Sequence, residues 1–276
     1  SIKSLIRIAK KKLPWPLKKK GGLLVDIFVY HVLPPKTIVL ILCSQRSGST
    51  LLKALLAEAD DVSHLPEVEY EKHCSNTYRF YHQAYFLSKK KIIVLKHPDT
   101  SIKPLSPASD RIKIIMLVRD VHGVVMSLVK MYQDRGLKER GKRELVKYWC
   151  DTYERIMNSV ATIHQNICFV RYEDLIRNPN DVTKKLFTFI DSKKREGVDS
   201  YTKSKDFEWK WRTDDGGEKI KGLRVINADN KTDNEDLELQ HIIQQSPRVG
   251  QLRNKFGYTN GVTSEDNEFV KRFIES

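Results

Sequence analysis

Thr37-Ile-Val-Leu-Ile-Leu-Cys-Ser44, running on into Gln45-Arg-Ser-Gly-Ser-Thr50, is the stretch on which the fold turns. Its first eight residues are β-branched and apolar without alternation, the pattern of a strand buried on both faces. Similar runs recur at Lys91–Lys96, Lys113–Val118 and Ile167–Arg171. Helical spacing fills the gaps between them. Leu52, Leu55, Leu56 and Ala59 share one helical face, and Val124, Val125, Leu128, Val129 and Tyr132 share another. A longer stripe carries Leu145, Trp149, Tyr153, Ile156, Val160 and Ile163. Strands alternating with helices predict right-handed βαβ units around a parallel sheet of about four or five strands, a P-loop-type α/β fold. Binding sites in such sheets lie at the carboxyl ends of the strands.

Outward from that core the chain divides by composition. Pro34-Pro35 punctuates a basic arm, residues 1–36, and residues 37–276 read as one domain. The arm holds nine Lys/Arg against one acid, Asp26, and so carries eight of the fourteen net positive charges. Such an excess favours anionic partners: phosphates, nucleic acid or a membrane surface. The apolar run Gly22–Leu33 contains Asp26 and is too short to span a bilayer. No small-residue cleavage site follows it. The arm is therefore expected to make peripheral membrane or partner contact at most. Residues 191–236 are polar and punctuated by Gly216, Gly217 and Gly222, which predicts a loop or lid. Leu237–Gln245 reads as a short helix before a polar tail. The four cysteines, Cys43, Cys74, Cys150 and Cys168, show no C-x-x-C pair and no zinc spacing. A reduced, cytoplasmic protein without a bound metal is expected.

The chemistry begins where the first strand ends. A strand–loop–helix of small residues aims backbone N–H groups and a helix N-terminus at one spot, which suits an anion. Against the ATP-type loop G-x-x-x-x-G-K-[ST], Gly48 is in register. Cys43 replaces the first glycine, however, and Ser49 stands where the lysine belongs. The compensating charge is Arg46, inside the loop. No strand-end acid is evident to help hold Mg²⁺. A metal-dependent small-molecule kinase is the weaker reading.

Arg46-Ser-Gly-Ser-Thr50 resembles the phosphosulfate loop of sulfotransferases that use 3′-phosphoadenosine 5′-phosphosulfate (PAPS), roughly [RK]-S-G-[ST]-[ST]. Its arginine form is more like the carbohydrate, tyrosyl-protein and bacterial branch. Two further stretches carry the resemblance in the right order. Val118-Arg119-Asp120 ends the third strand and Ser127 follows eight residues after the arginine, like the family's 3′-phosphate motif. An Arg119–Asp120 pair beside a routine helical serine is the bland alternative. Arg171-Tyr-Glu-Asp-Leu175 with Pro179 resembles the YEDL-x-x-x-P stretch, whose role looks architectural. Together the three cover about residues 37–190.

The resemblance implies a PAPS-dependent sulfotransferase that releases PAP, its donor held by Arg46, Ser47, Gly48, Ser49, Thr50 and Leu51, with Arg119 and Ser127 on the 3′-phosphate. Lys219-Ile-Lys-Gly-Leu-Arg224 is the candidate for the family's late basic loop, naming Lys221, Gly222 and Arg224; a solvated charge run fits it equally. Trp209 and Trp211 flank Lys210 and suit either stacking or an amphipathic strand. Sulfuryl transfer needs in-line positioning and stabilisation of the leaving oxygen. Arg46 and Lys96 are the candidates, the latter in Lys96-His97-Pro98, which resembles the family's K-x-P. The proton acceptor is expected to be Glu67 in Leu65-Pro-Glu67, with His97 as alternative base. If Lys96 faces the sulfuryl group, adjacent His97 faces away. The expected acceptor is a small polar or natural-product molecule with a hydroxyl or amine. A nucleic-acid binder using the basic arm is a further alternative, without any recognised recognition motif.

Overall fold

The computed structural model describes residues 15–63, 76–96, 108–161, 166–203 and 236–258, with side chains from residue 22 onward. Four strands form one parallel sheet: β1 (Thr37–Leu42), β2 (Ile92–Lys96), β3 (Ile112–Val118) and β4 (Asn166–Arg171), in the order β2-β1-β3-β4. Each expected strand is present, displaced by a residue or two at its ends. β1, β2 and β3 are buried along their whole length, as their unbroken apolar runs require. The chain after the first loop helix makes an isolated bridge to the first residue of β2. Ser63 N donates to Ile92 O (2.8 Å) and Ile92 N to Asp61 O (2.9 Å).

Alternate residues feed two apolar layers, as a pleated strand demands. Ile38, Leu40, Leu42, Ile114 and Met116 face one core, while Val39, Ile41, Cys43, Ile115 and Leu117 face the other. The first core is covered by α1 (Trp15–Val32), α3 (Thr77–Tyr85), α4 (Val121–Asp134), α5 (Lys142–Val160), α8 (Leu237–Gln244) and α9 (Pro247–Lys255). The second lies under α2 (Ser49–Leu56) and the pair α6 (Tyr172–Arg177) and α7 (Pro179–Phe189).

Three features differ from the expectation. The second half of the basic arm is a helix seated on the core, with Val29 fully buried and Val25, Tyr30 and Leu33 packed beside it. The tail contributes α9, whose Val249 and Leu252 join the core together with Phe256 just beyond it. The first residues of the expected lid, 191–203, are fastened down. Ser192 donates to Asp61 (2.7 Å), Val198 N to Thr183 (2.8 Å) and Lys203 N to Glu58 (2.8 Å), and Tyr201 is buried. Their partners are Glu58 and Asp61, just past the end of α2, and the buried Thr183 within α7. The remainder of the lid, residues 204–235, lies outside the described residues.

The strand order fixes where a site can form. From β1 the chain moves to β2 on one side, then crosses back to β3 on the other. β1 and β3 therefore flank the topological switch point, where the connections leave in opposite directions and open a crevice. The loop after β1 and the turn after β3 meet there.

Candidate functional site

The loop after β1 holds two left-handed residues, Arg46 (φ 62°) and Gly48 (φ 88°), before α2 begins at Ser49. Such a turn gathers successive N–H groups into a concavity suited to an anion, with the positive end of α2 behind it. An arginine in this conformation costs roughly 1–2 kcal/mol, held by the bonds around it. Gly48 is required twice over. Its φ favours glycine, and a Cβ there would meet the Tyr172 ring at 2.4 Å.

The loop is braced from beneath by hydroxyls. Ser44 Oγ and Ser47 Oγ lie 2.6 Å apart, and Tyr153 OH sits 2.9 Å from Ser47 Oγ. Tyr153 OH also donates to Leu117 O (3.1 Å) and stands 3.4 Å from the Arg119 N–H. Gln45 N donates to Tyr148 OH (2.9 Å). Tyr153 is fully buried, and burial pushes its phenol well above the ordinary range, so it remains a neutral hydroxyl. It joins the β1 loop to the end of β3.

Three cations converge on this loop. Lys96, at the buried end of β2, donates from Nζ to Thr50 Oγ1 at 2.6 Å. Arg46 Nε donates to Ser127 Oγ at 3.0 Å, and Arg119 donates to the Arg46 carbonyl at 2.9 Å. The sheet register explains the convergence: Lys96 pairs with Ile41, while Val118 and Arg171 are neighbours at the ends of β3 and β4. Arg46, Thr50, Lys96, Arg119 and Ser127 thus occupy one continuous patch. Ser47, Gly48 and Ser49 form its floor, and Leu51 continues into α2.

Asp120 does not pair with Arg119. It caps α4 by accepting from His122 N (3.0 Å), and its other oxygen lies 2.9 Å from Arg253 Nε in an ion pair outside hydrogen-bond geometry. Arg119 instead lies over the Tyr172 ring, 4.4 Å from its centroid, and the small Gly123 leaves room for its guanidinium. Glu173 accepts from Asp120 N (3.0 Å) and Tyr258 OH (2.6 Å). Burial raises its pKa above the usual carboxylate value. Arg171 binds Asp174 through two nitrogens and the Gly257 carbonyl through a third.

The YEDL stretch packs directly against the loop. Tyr172 touches both the anion loop and Arg119. The sequence signal for it was its place directly after the β4 run, beside the end of β3. Tyr153 was hidden inside a helical apolar stripe, where spacing alone reads it as core, and Tyr148 lay beside that stripe with no signal of its own. Glu67, His97, Lys221, Gly222, Arg224, Trp209 and Trp211 lie outside the described residues.

A loop of this construction at the switch point of a parallel sheet, ringed by three cations, defines a P-loop-type α/β protein. The family whose description reads "Sulfotransferase domain" matches residues 36–214. The chain belongs to that sulfotransferase family. No curated protein matches it by sequence. Among solved structures it is similar to the sulfotransferase domain from the curacin biosynthetic pathway (18% identity, 77% of this chain and 98% of that one, TM-score 0.46). It is also similar to a mouse sulfotransferase, SULT7A1, complexed with PAP (14%, 88% and 89%, TM-score 0.44). A third is a sulfotransferase from Alicyclobacillus acidocaldarius (11%, 80% and 96%, TM-score 0.41).

Proposed function

We propose that the chain transfers a sulfuryl group from PAPS to a hydroxyl or amine of a small polar or natural-product acceptor and releases PAP. The observation that carries this reading is the single patch formed by Arg46, Lys96 and Arg119 with the hydroxyls of Thr50 and Ser127. Its two ends suit the two charged groups of the donor. Lys96 and Thr50, with the N–H groups of Ser47–Leu51, would hold the phosphosulfate and stabilise negative charge growing on the bridging oxygen. Arg119 and Ser127 would receive the 3′-phosphate, a charge-assisted bond beside a hydroxyl. Tyr172 offers a flat face next to both. Lys221, Gly222 and Arg224 are proposed to complete the phosphate site.

Glu67 is proposed as the base that takes the acceptor proton, with His97 as the alternative. Transfer needs no metal in this scheme, because fixed cations and loop amides supply the charge stabilisation. A reducing, cytoplasmic setting belongs to the same proposal and rests on Cys43 and Cys150 lying buried in the two apolar layers. Peripheral membrane contact through residues 1–36 is proposed as well; among the described residues no helix is long and apolar enough to cross a bilayer.

Isothermal calorimetry with PAP, PAPS and ATP, each with and without Mg²⁺, tests the donor. PAP binding that is indifferent to Mg²⁺ and tighter than ATP is expected. An absolute metal requirement, or preference for ATP, would overturn the proposal in favour of a kinase.

A further inference from the structure

The strongest surface feature away from the site is the outer face of α1. Among the described residues six large apolar side chains are exposed, and Leu23, Leu24, Phe28 and Val32 place four of them on this one helix. Leu24 is 67% exposed and Val32 61%. Leu24, Phe28 and Val32 follow at intervals of four, one stripe along a helix. The opposite stripe, Val25, Val29 and Leu33, is used up by the core.

The outward stripe is fixed rather than free to roll inward. Asp26 is buried and bonded to His82 of α3. Tyr30 OH lies 2.6 Å from Ser109 Oγ, the Arg111 guanidinium donates to Tyr30 O, and Tyr30 stacks edge-on against Tyr78 and Tyr81. Rolling α1 to hide Leu24 would drag Asp26 and Tyr30 out of these contacts.

Charge indicates what covers the stripe. Lys18, Lys19 and Lys20 belong to the same helix, one turn before Leu23 and Leu24. Five more basic residues precede them, and the only acid of residues 1–36 is the buried Asp26. A polybasic segment continuous with an exposed apolar stripe matches a bilayer interface, where headgroups meet cations and acyl chains take the apolar groups. Nucleic acid would use the lysines but leave Leu24, Phe28 and Val32 in water.

We infer that α1 is an interfacial helix that docks the protein on anionic lipid through Leu24, Phe28 and Val32 together with the lysines before them. This rests on the proposed peripheral contact of residues 1–36 and names its face and its lipid. The helix ends beside the amino ends of β1 and β3, since Lys36 precedes β1 and Ser109 and Arg111 precede β3. The anion loop is at the other end of the sheet. Docking therefore tethers the enzyme without covering that loop.

Co-sedimentation of the full chain with phosphatidylcholine vesicles, with and without phosphatidylglycerol, tests the inference. Binding is expected with phosphatidylglycerol and weak binding without it. Leu24→Gln with Phe28→Gln should lower the vesicle partition about a hundredfold, roughly tenfold for each apolar group kept in water. Lys18→Gln, Lys19→Gln and Lys20→Gln combined should abolish the phosphatidylglycerol dependence. PAP affinity should be unchanged in both variants, which shows that they fold. Vesicle binding untouched by the Leu24/Phe28 pair would overturn the stripe while leaving peripheral contact standing. No vesicle binding at all would overturn both. A monomer–dimer equilibrium that shifts in the Leu24/Phe28 variant would reassign the face to a second copy. Tighter binding to duplex DNA than to vesicles would reassign it to nucleic acid. None of these outcomes bears on the donor site, which the PAP titration reads separately.

Discussion

The two ends of the same sheet handle positive charge in opposite ways. At the amino end, Lys36 donates to the carbonyls of Tyr85 and Ser88, Lys113 to Phe189 O and Asp191, and Arg111 to Tyr30 O. Those cations tie elements together among aromatic rings. At the carboxyl end, Lys96, Arg46 and Arg119 lie around a loop that is itself held by neutral hydroxyls. Tyr81 braces the first end, accepting from Lys36 N (2.8 Å) and donating to Lys36 O (3.1 Å). Tyr153 braces the second. At the first end the cations bond carbonyls and a carboxylate of neighbouring elements; at the second three of them gather around the loop, while Arg171 still ties β4 to Asp174 and the Gly257 carbonyl. Substitutions at the amino end should change stability, and those at the carboxyl end should change binding and turnover.

The largest effect is expected for the proposed base. Glu67→Gln should lower kcat about 10²- to 10⁴-fold with PAP affinity nearly intact, whereas His97→Ala should cost much less. Single-turnover sulfation of one acceptor by both variants checks this. A silent Glu67→Gln beside a folded but inactive His97→Ala would reverse the roles.

Next comes the cation at the end of β3. Arg119→Ala should remove about 1.5–3 kcal/mol of the preference for PAP over 5′-AMP, the worth of an ionic hydrogen bond. Competition binding with the two nucleotides reads it. Unchanged discrimination would break the division between the two ends.

Tyr153→Phe and Tyr81→Phe sharpen the contrast directly. Each leaves buried backbone groups without their partner and should cost about 1–3 kcal/mol of stability in chemical denaturation. Only Tyr153→Phe should also weaken PAP, because only that hydroxyl touches the loop. Equal PAP affinity in the two variants would show that the loop holds its shape without its brace.

The smallest effect belongs to a surface network between α5 and α9. Arg248 pairs with Asp151 (2.7 Å) and Glu154 (2.6 Å), with Lys147 also on Asp151. Lys147 and then Arg248 lower the Asp151 pKa, and Arg248 lowers that of Glu154. Depressed carboxylates contribute stability above their unfolded values near pH 4, and it is lost as pH falls through the folded values. All three partners are about two-fifths exposed, so solvent screening limits the contribution to under about 1 kcal/mol. Arg248→Ala should therefore lower Tm slightly at pH 7, and by progressively less as pH falls below about 4.

Much of this was legible in the residues. Short unbroken runs rich in β-branched residues fit strands covered on both faces, so Thr37–Leu42 and its three counterparts pointed to a parallel sheet. Arg46-Ser-Gly-Ser-Thr50 sits immediately after one of them, and a loop joining strand to helix directly places its small residues at the carboxyl end of the sheet. Local order in the chain therefore pointed to the fold class and the strand–loop–helix, while the candidacy of Lys96, Arg119 and Ser127 came from the family resemblance of their motifs. Only the tertiary structure decided which side chains complete the loop. Tyr153 is more than a hundred residues from Ser47, and Tyr172 is in a different βα turn from both Gly48 and Arg119. Their proximity comes from strand order and register, which no spacing along the chain encodes. The fate of Asp120, bound to α4 and Arg253 rather than to its neighbour Arg119, was likewise decided by α9 folding back across the sheet end. So was the orientation of α1, because the burial of Asp26 against His82 turns Leu24, Phe28 and Val32 outward.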